Sequence, residues 1–115
     1  METEVRVIGR VLVVGIWGEL DLNTAPSFRS AVEEQLDANP DITDILLMMQ
    51  EVTFIDSSGL GVILGRYKRL RPHGGNVIVV APSPQARRAL ELSGLASVIP
   101  ICDTEDEAWA KAVGV

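Results

Sequence analysis

The chain has 115 residues, of which 47% are hydrophobic and 23% charged, with a formal net charge of −6. That is the size of one domain around a single core, and the carboxylate excess argues against nucleic acid as a direct partner, because such binders need a cationic footprint. The scattered charges leave no apolar run of about 20 residues to span a bilayer, and Glu2, Glu4 and Arg6 interrupt any leader-like stretch, so a cytoplasmic protein is expected.

In chain order, Glu4 to Ile8 and Val11 to Gly18 read as strands separated by Gly9-Arg10, a tight hairpin. Leu12, Val14 and Ile16 fall on one face and Val11, Val13 and Trp17 on the other. A strand apolar on both sides is interior, with Trp17 in the core. The polar run Glu19 to Thr24 leads to a helix from Ala25 to Asn39. Thr24 is its predicted N-cap, Pro26 fits the first turn, and Phe28, Val32 and Leu36 form the buried stripe. Ile45 to Met49 is a continuous apolar run of strand length, as a buried parallel strand requires.

That strand feeds Asp56, Ser57 and Ser58, three N-cap-competent residues in a row. In the helix that follows, Leu60, Ile63, Leu64 and Tyr67 share one arc, and Gly61, Val62, Gly65 and Arg69 occupy the opposite one. Two helical glycines cost about 1 kcal/mol each relative to alanine. They imply close approach of another backbone, either a partner's or that of a neighbouring helix in the same domain. Arg66, Lys68, Arg69 and Arg71 read as cations favoured by the helix C-terminus, or else as a patch for an acidic partner.

Pro72 to Asn76 is a turn, and its His73, the only histidine, lacks the partners for a metal site or a triad. Val77 to Val80 is the next strand. Ser83 caps a helix that has Pro84 at its first position, Ala86, Ala89, Leu90 and Ser93 on one face, and Gly94 at its end. A short strand is expected around Val98 to Ile101. Cys102, the only cysteine, has no disulfide partner and is expected to be a buried or edge thiol. A capping box, Thr104 with Glu107, opens a last helix that buries Ala108, Trp109, Ala112 and Val113. The alternation predicts an α/β fold, a mixed and mostly parallel sheet of four to five strands flanked by about four helices.

A serine hydroxyl at the positive end of a helix dipole suits a phosphate, because free N–H groups and the macrodipole both favour negative charge there. Enzyme chemistry finds no support. Ile55 and Asp56 occupy the places of the first glycine in a Gly-x-Ser-x-Gly elbow. The glycines at 59, 61 and 65 match neither a Gly-Lys-Ser/Thr loop nor Gly-x-Gly-x-x-Gly. Glu19 and Asp21 lie two apart in a loop without a second site of opposing chemistry. No catalytic residue, cofactor or metal is expected.

The run Asp56-Ser57-Ser58-Gly59-Leu60-Gly61-Val62-Ile63-Leu64-Gly65-Arg66-Tyr67-Lys68 resembles the signature of bacterial anti-sigma-factor antagonists of the STAS family, of the sporulation type. Gly18-Glu19-Leu20-Asp21 and Leu92-Ser93-Gly94-Leu95 match further landmarks, so the resemblance implies one STAS domain over 1–115. It implies that Ser57, directly after the aspartate, is phosphorylated by a partner anti-sigma factor that is itself a serine kinase. The unmodified form would bind that factor and free the sigma factor, and a phosphoserine phosphatase would reset the modified one. Asp21, Asn23, Asp56, Ser57, Ser58, Gly59, Leu60, Gly61 and Val62 are the implied contact residues, on a protein expected to be monomeric when free. Met48 stands where relatives often carry aspartate or asparagine, which is expected to alter local packing. From physics alone, a serine at this place reads first as a structural helix cap, and the family motif reverses that order. The alternative is a STAS scaffold or regulatory module of a stress-signalling complex.

Overall fold

The computed structural model describes residues 1–114 and begins with the expected hairpin. β1 (Glu2–Ile8) and β2 (Val11–Leu20) pair antiparallel with Ile8 opposite Val11, so Gly9 and Arg10 alone form the loop. Gly9 takes a φ of +60°, which such a turn demands and glycine supplies without strain. β3 (Asp44–Ile55), β4 (Val77–Val80) and β5 (Ile101–Cys102) follow in spatial order, each parallel to its predecessor. The helices are α1 (Ala25–Ala38), α2 (Ser57–Leu70), α3 (Pro84–Leu92) and α4 (Glu105–Lys111). A five-stranded mixed sheet with four helices is the predicted α/β architecture.

Two hydrophobic cores explain why β2, β3 and β4 are apolar on both sides. Leu12, Val14 and Ile16 of β2, with Ile45, Leu47 and Met49 of β3, pack against Phe28 and Val32 of α1, Ile63 of α2 and Leu90 of α3. On the other face Val11, Val13, Leu46, Ile78 and Val80 meet Ala108 of α4 and Ala112 just beyond it. Truncating a fully buried Phe28 to alanine would cost about 3–5 kcal/mol, transfer and cavity terms together.

Several boundaries and burials differ from expectation. β3 runs on to Ile55; beyond Met48 it pairs only with β2, because β4 ends at Val80 opposite Met48. This one-sided extension tolerates the polar Gln50, Glu51 and Thr53. Trp17 is 39% exposed rather than core. A register shift between Gly15 and Trp17 displaces it, and the seven-residue α4 does not cover it. β5 starts at Ile101, since Leu95–Ser97 forms a 3₁₀ turn instead. Ser93 is exposed at the C-cap of α3, and Val113 lies past the end of α4, 62% exposed. In the α4 capping box Thr104 accepts from the Glu107 amide at 3.2 Å, but the Glu107 carboxylate receives the amide of Asp103 rather than that of Thr104.

The cations of α2 do not form one exposed patch. Arg66 is buried, with its Nε 3.4 Å from Glu33 of α1. Arg69 reaches the same Glu33 carboxylate at 2.9 Å and Asp37 at 2.9 Å. Burial pulls the Arg66 guanidinium below its ordinary range, opposed by the Glu33 charge. These groups fasten α1 to α2. The exposed Arg71 guanidinium lies 5.9 Å from the centre of the Tyr67 ring.

Candidate functional site

Leu20 and Ile55 are register partners at the ends of the parallel strands β2 and β3, so both chains leave the sheet side by side. The carboxyl ends of such strands are where open α/β sheets present their sites. From Leu20 the chain enters a short loop before α1; from Ile55 it turns directly into α2.

One carboxylate joins the two exits. The Gly59 amide donates to Asp56 Oδ1 at 3.0 Å, which makes Asp56 the N-cap of α2. The Leu22 amide donates to Asp56 Oδ2 at 3.1 Å, and the Asp56 amide donates to the Leu20 carbonyl at 3.3 Å. Of the three cap-competent residues the aspartate therefore takes the cap, placing Ser57 and Ser58 at the first two helical positions. Ser57 is exposed and Ser58 half-buried. Neither amide has a preceding helical carbonyl to receive it, as at any helix start.

The facing loop is stiffened from within. Asp21 Oδ1 accepts from the amides of Asn23 at 2.9 Å and Thr24 at 3.1 Å. The Thr24 hydroxyl donates to the Glu19 carbonyl at 2.8 Å and accepts from the Asp21 amide at 2.9 Å. It makes no bond into α1, so Thr24 occupies the N-cap position without capping through its side chain. Asn23 is exposed beside this turn.

Gly59 has a structural role. A Cβ there would overlap the Leu20 carbonyl oxygen and stand 2.8 Å from Ile55 Cγ1, so only glycine lets α2 dock against both strand ends. It is buried and presents no side chain, and Leu60 is half-buried against the main core. Gly59 therefore belongs to the packing, whereas Leu60, like Val62, packs on the main core with part of its side chain exposed. Gly61 and Gly65 have nothing within 4 Å of a built Cβ, which sets aside the expectation that they pack on a helix of this domain. Gly61 is exposed and Val62 half-buried.

The structure thus gathers Asp21, Asn23, Asp56, Ser57, Ser58, Gly61 and Val62 at one end of the sheet. It adds Leu22, 70% exposed, which the sequence reading passed over. An apolar side chain between Asp21 and Asn23 in an otherwise polar loop was the available signal. Leu22, Pro26, Arg29, Ser58 and Val62 line a groove of about 630 Å³ between α1 and α2.

The family model described as the STAS domain matches residues 2–108. An anti-sigma F factor antagonist from Paenibacillus polymyxa is 41% identical over 95 residues, covering 83% of this chain and 80% of that protein. The structure of the anti-sigma factor antagonist SpoIIAA in its unphosphorylated form is similar with a TM-score of 0.83 at 29% identity, covering 99% of this chain and 98% of that one. The Bacillus cell fate determinant SpoIIAA in its phosphorylated form gives a TM-score of 0.73, also at 29% identity, covering 96% and 98%.

Proposed function

Because this chain belongs to the STAS domain family, we propose that it is an anti-sigma-factor antagonist whose unphosphorylated form binds an anti-sigma factor and so releases a sigma factor. The whole chain, 1–115, acts as one regulatory domain in the cytoplasm and performs no catalysis of its own. The anti-sigma factor is a serine kinase that phosphorylates Ser57, and a phosphoserine phosphatase reverses it. Asp21, Leu22, Asn23, Asp56, Ser57, Ser58, Leu60, Gly61 and Val62 form the contact surface.

The observation that carries this reading is the placement of Ser57, exposed at the first position of α2, beside a carboxylate that ties both strand exits together. A phosphoserine adds about −1.5 to −2 charges. On a chain of net charge −6, beside Asp56 and in a closely packed interface, that charge brings repulsion and a desolvation cost. The helix N-terminus absorbs the same group locally, so binding changes while the fold stays.

Intact-mass analysis after incubation with a cognate anti-sigma kinase and ATP tests this for the parent chain, Ser57→Ala and Ser58→Ala. One added phosphoryl group, lost only in Ser57→Ala, is the expected result. Loss only in Ser58→Ala would move the site by one residue. An unmodified parent chain, with a kinase active on its own antagonist, would refute the switch.

A further inference from the structure

On the face of the sheet that carries α4, a cavity of about 400 Å³ opens between β1, β2, β3 and the start of α4. Its floor is built across three strands, with Glu4 opposite Gly15 and Gly15 opposite Met48. The Trp17 indole lies over Gly15, with Cζ3 and Cη2 2.8 Å from where a Cβ would stand. Glycine at this position therefore makes the room in which the ring rests on the sheet, and 39% of Trp17 stays open.

Three exposed carboxylates line the cavity together with that ring. Glu51 is the register partner of Trp17 on β3, Glu4 stands on the β1 side, and Glu105 enters from α4, where its Oε2 accepts from Trp109 Nε1 at 3.0 Å. Arg6 is the one cation in the lining. Among the described residues neither Glu4, Glu51 nor Arg6 forms an ion pair, and the cation–π contact found is that of Arg71 on Tyr67. The cavity therefore combines a partly exposed indole with three carboxylates against one cation, two of those carboxylates being without an ion pair. A cation over an exposed indole gains modestly from the ring quadrupole, and nearby carboxylates can receive its N–H donors.

We propose that this cavity binds an organic cation, an ammonium or guanidinium group laid on Trp17 and held by Glu4, Glu51 and Glu105. Phosphates and nucleotides are repelled by the same charges. The site is on the opposite side of the sheet from α1 and α2, so its occupation leaves Ser57 free and is independent of the switch.

The test follows the indole N–H signals of the ¹⁵N-labelled full chain, with Trp17→Phe identifying which signal belongs to Trp17. Agmatine and a short arginine-rich peptide are titrated separately, with sodium chloride at matched ionic strength as control. The expected result is a saturable shift of the Trp17 signal, at least about tenfold weaker in the Glu4→Gln/Glu51→Gln double variant, a loss worth about 1.4 kcal/mol. Saturation by both probes assigns the site to free small cations, and saturation by the peptide alone assigns it to a basic side chain of a protein. Arg6→Gln tightens binding by removing the opposing charge. Absence of a saturable shift with either probe, or an unchanged shift in a double variant whose unfolding matches the parent's, would overturn the proposal.

Discussion

Alanine at each of the three glycines of α2 separates the packing glycine from the open ones. Helix propensity alone favours alanine over glycine by about 1 kcal/mol. At Gly61 and Gly65 nothing lies within 4 Å of the added Cβ, so Gly61→Ala and Gly65→Ala should each stabilise the free protein by about 0.5–1 kcal/mol and raise its Tm by roughly 2–5 °C. At Gly59 the methyl group meets the Leu20 carbonyl oxygen and stands 2.8 Å from Ile55 Cγ1 and 3.0 Å from Leu20 Cγ. Overpacking costs about 1–3 kcal/mol, and the upper end applies because a backbone oxygen cannot rotate away. After the propensity gain, Gly59→Ala should destabilise by about 2 kcal/mol. Urea unfolding of the four proteins reads all three values. If Gly59→Ala unfolds at the same midpoint as the parent, the docking of α2 on Leu20 is not as described; if Gly61→Ala is destabilised, its outward placement is wrong. Gly61→Ala should also weaken capture by the anti-sigma factor while stabilising the chain, a sign reversal that poor folding cannot imitate.

Three further outcomes follow from the contacts. Glu33→Gln leaves Arg66 buried without its carboxylate and should cost roughly 3 kcal/mol, whereas Arg66→Met leaves Glu33 paired with Arg69 and should cost far less; equal losses in chemical denaturation would contradict this asymmetry. Asp56→Ala removes the cap and should cost about 1–2 kcal/mol; hydrogen exchange should accelerate at the Leu22 and Gly59 amides but not along β4, and unchanged exchange at Leu22 would deny the bridge. Burial pushes the Cys102 thiol up, with Lys111 opposing. Its contribution to stability is therefore complete below the unfolded thiol's value, roughly 8.5, and declines as pH rises beyond it. Iodoacetamide at pH 8 should label the native chain much more slowly than the urea-unfolded one, and equal rates would place the thiol at the surface.

The strands, the helices and their order were legible because hydrophobic periodicity reports which positions face a core, and β2 through β4 face two. What periodicity cannot report is how far the covering layer extends. Trp17 keeps the alternation of Val11 and Val13, yet a register shift and a short α4 leave it open. Arg66 looked like one more cation in a terminal turn; its burial depends on Glu33, 33 positions earlier in the chain, which no local pattern reveals. Gly59, Gly61 and Gly65 were alike as glycines, and only the return of Leu20 to the helix start distinguishes the first from the other two. The polar extension of β3 was hidden for a similar reason, since pairing on one edge alone relaxes the demand for apolar side chains.

The cap assignment bears on how a local charge at Ser57 would act. A capping serine would have its hydroxyl engaged with a helix amide, and phosphorylation there would break a structural bond. Here Asp56 carries that bond, and the Ser57 side chain is free at the next position. Both Asp56 oxygens are already receiving amides, one from each strand exit. New negative charge on Ser57 would therefore meet a carboxylate that is held in place, while the helix start offers roughly 0.3–1 kcal/mol of compensation. The fold can keep its shape because the capping role and the exposed hydroxyl sit on adjacent residues. On the proposed contact surface, the exposed residues Leu22, Ser57 and Gly61 would bear the electrostatic change.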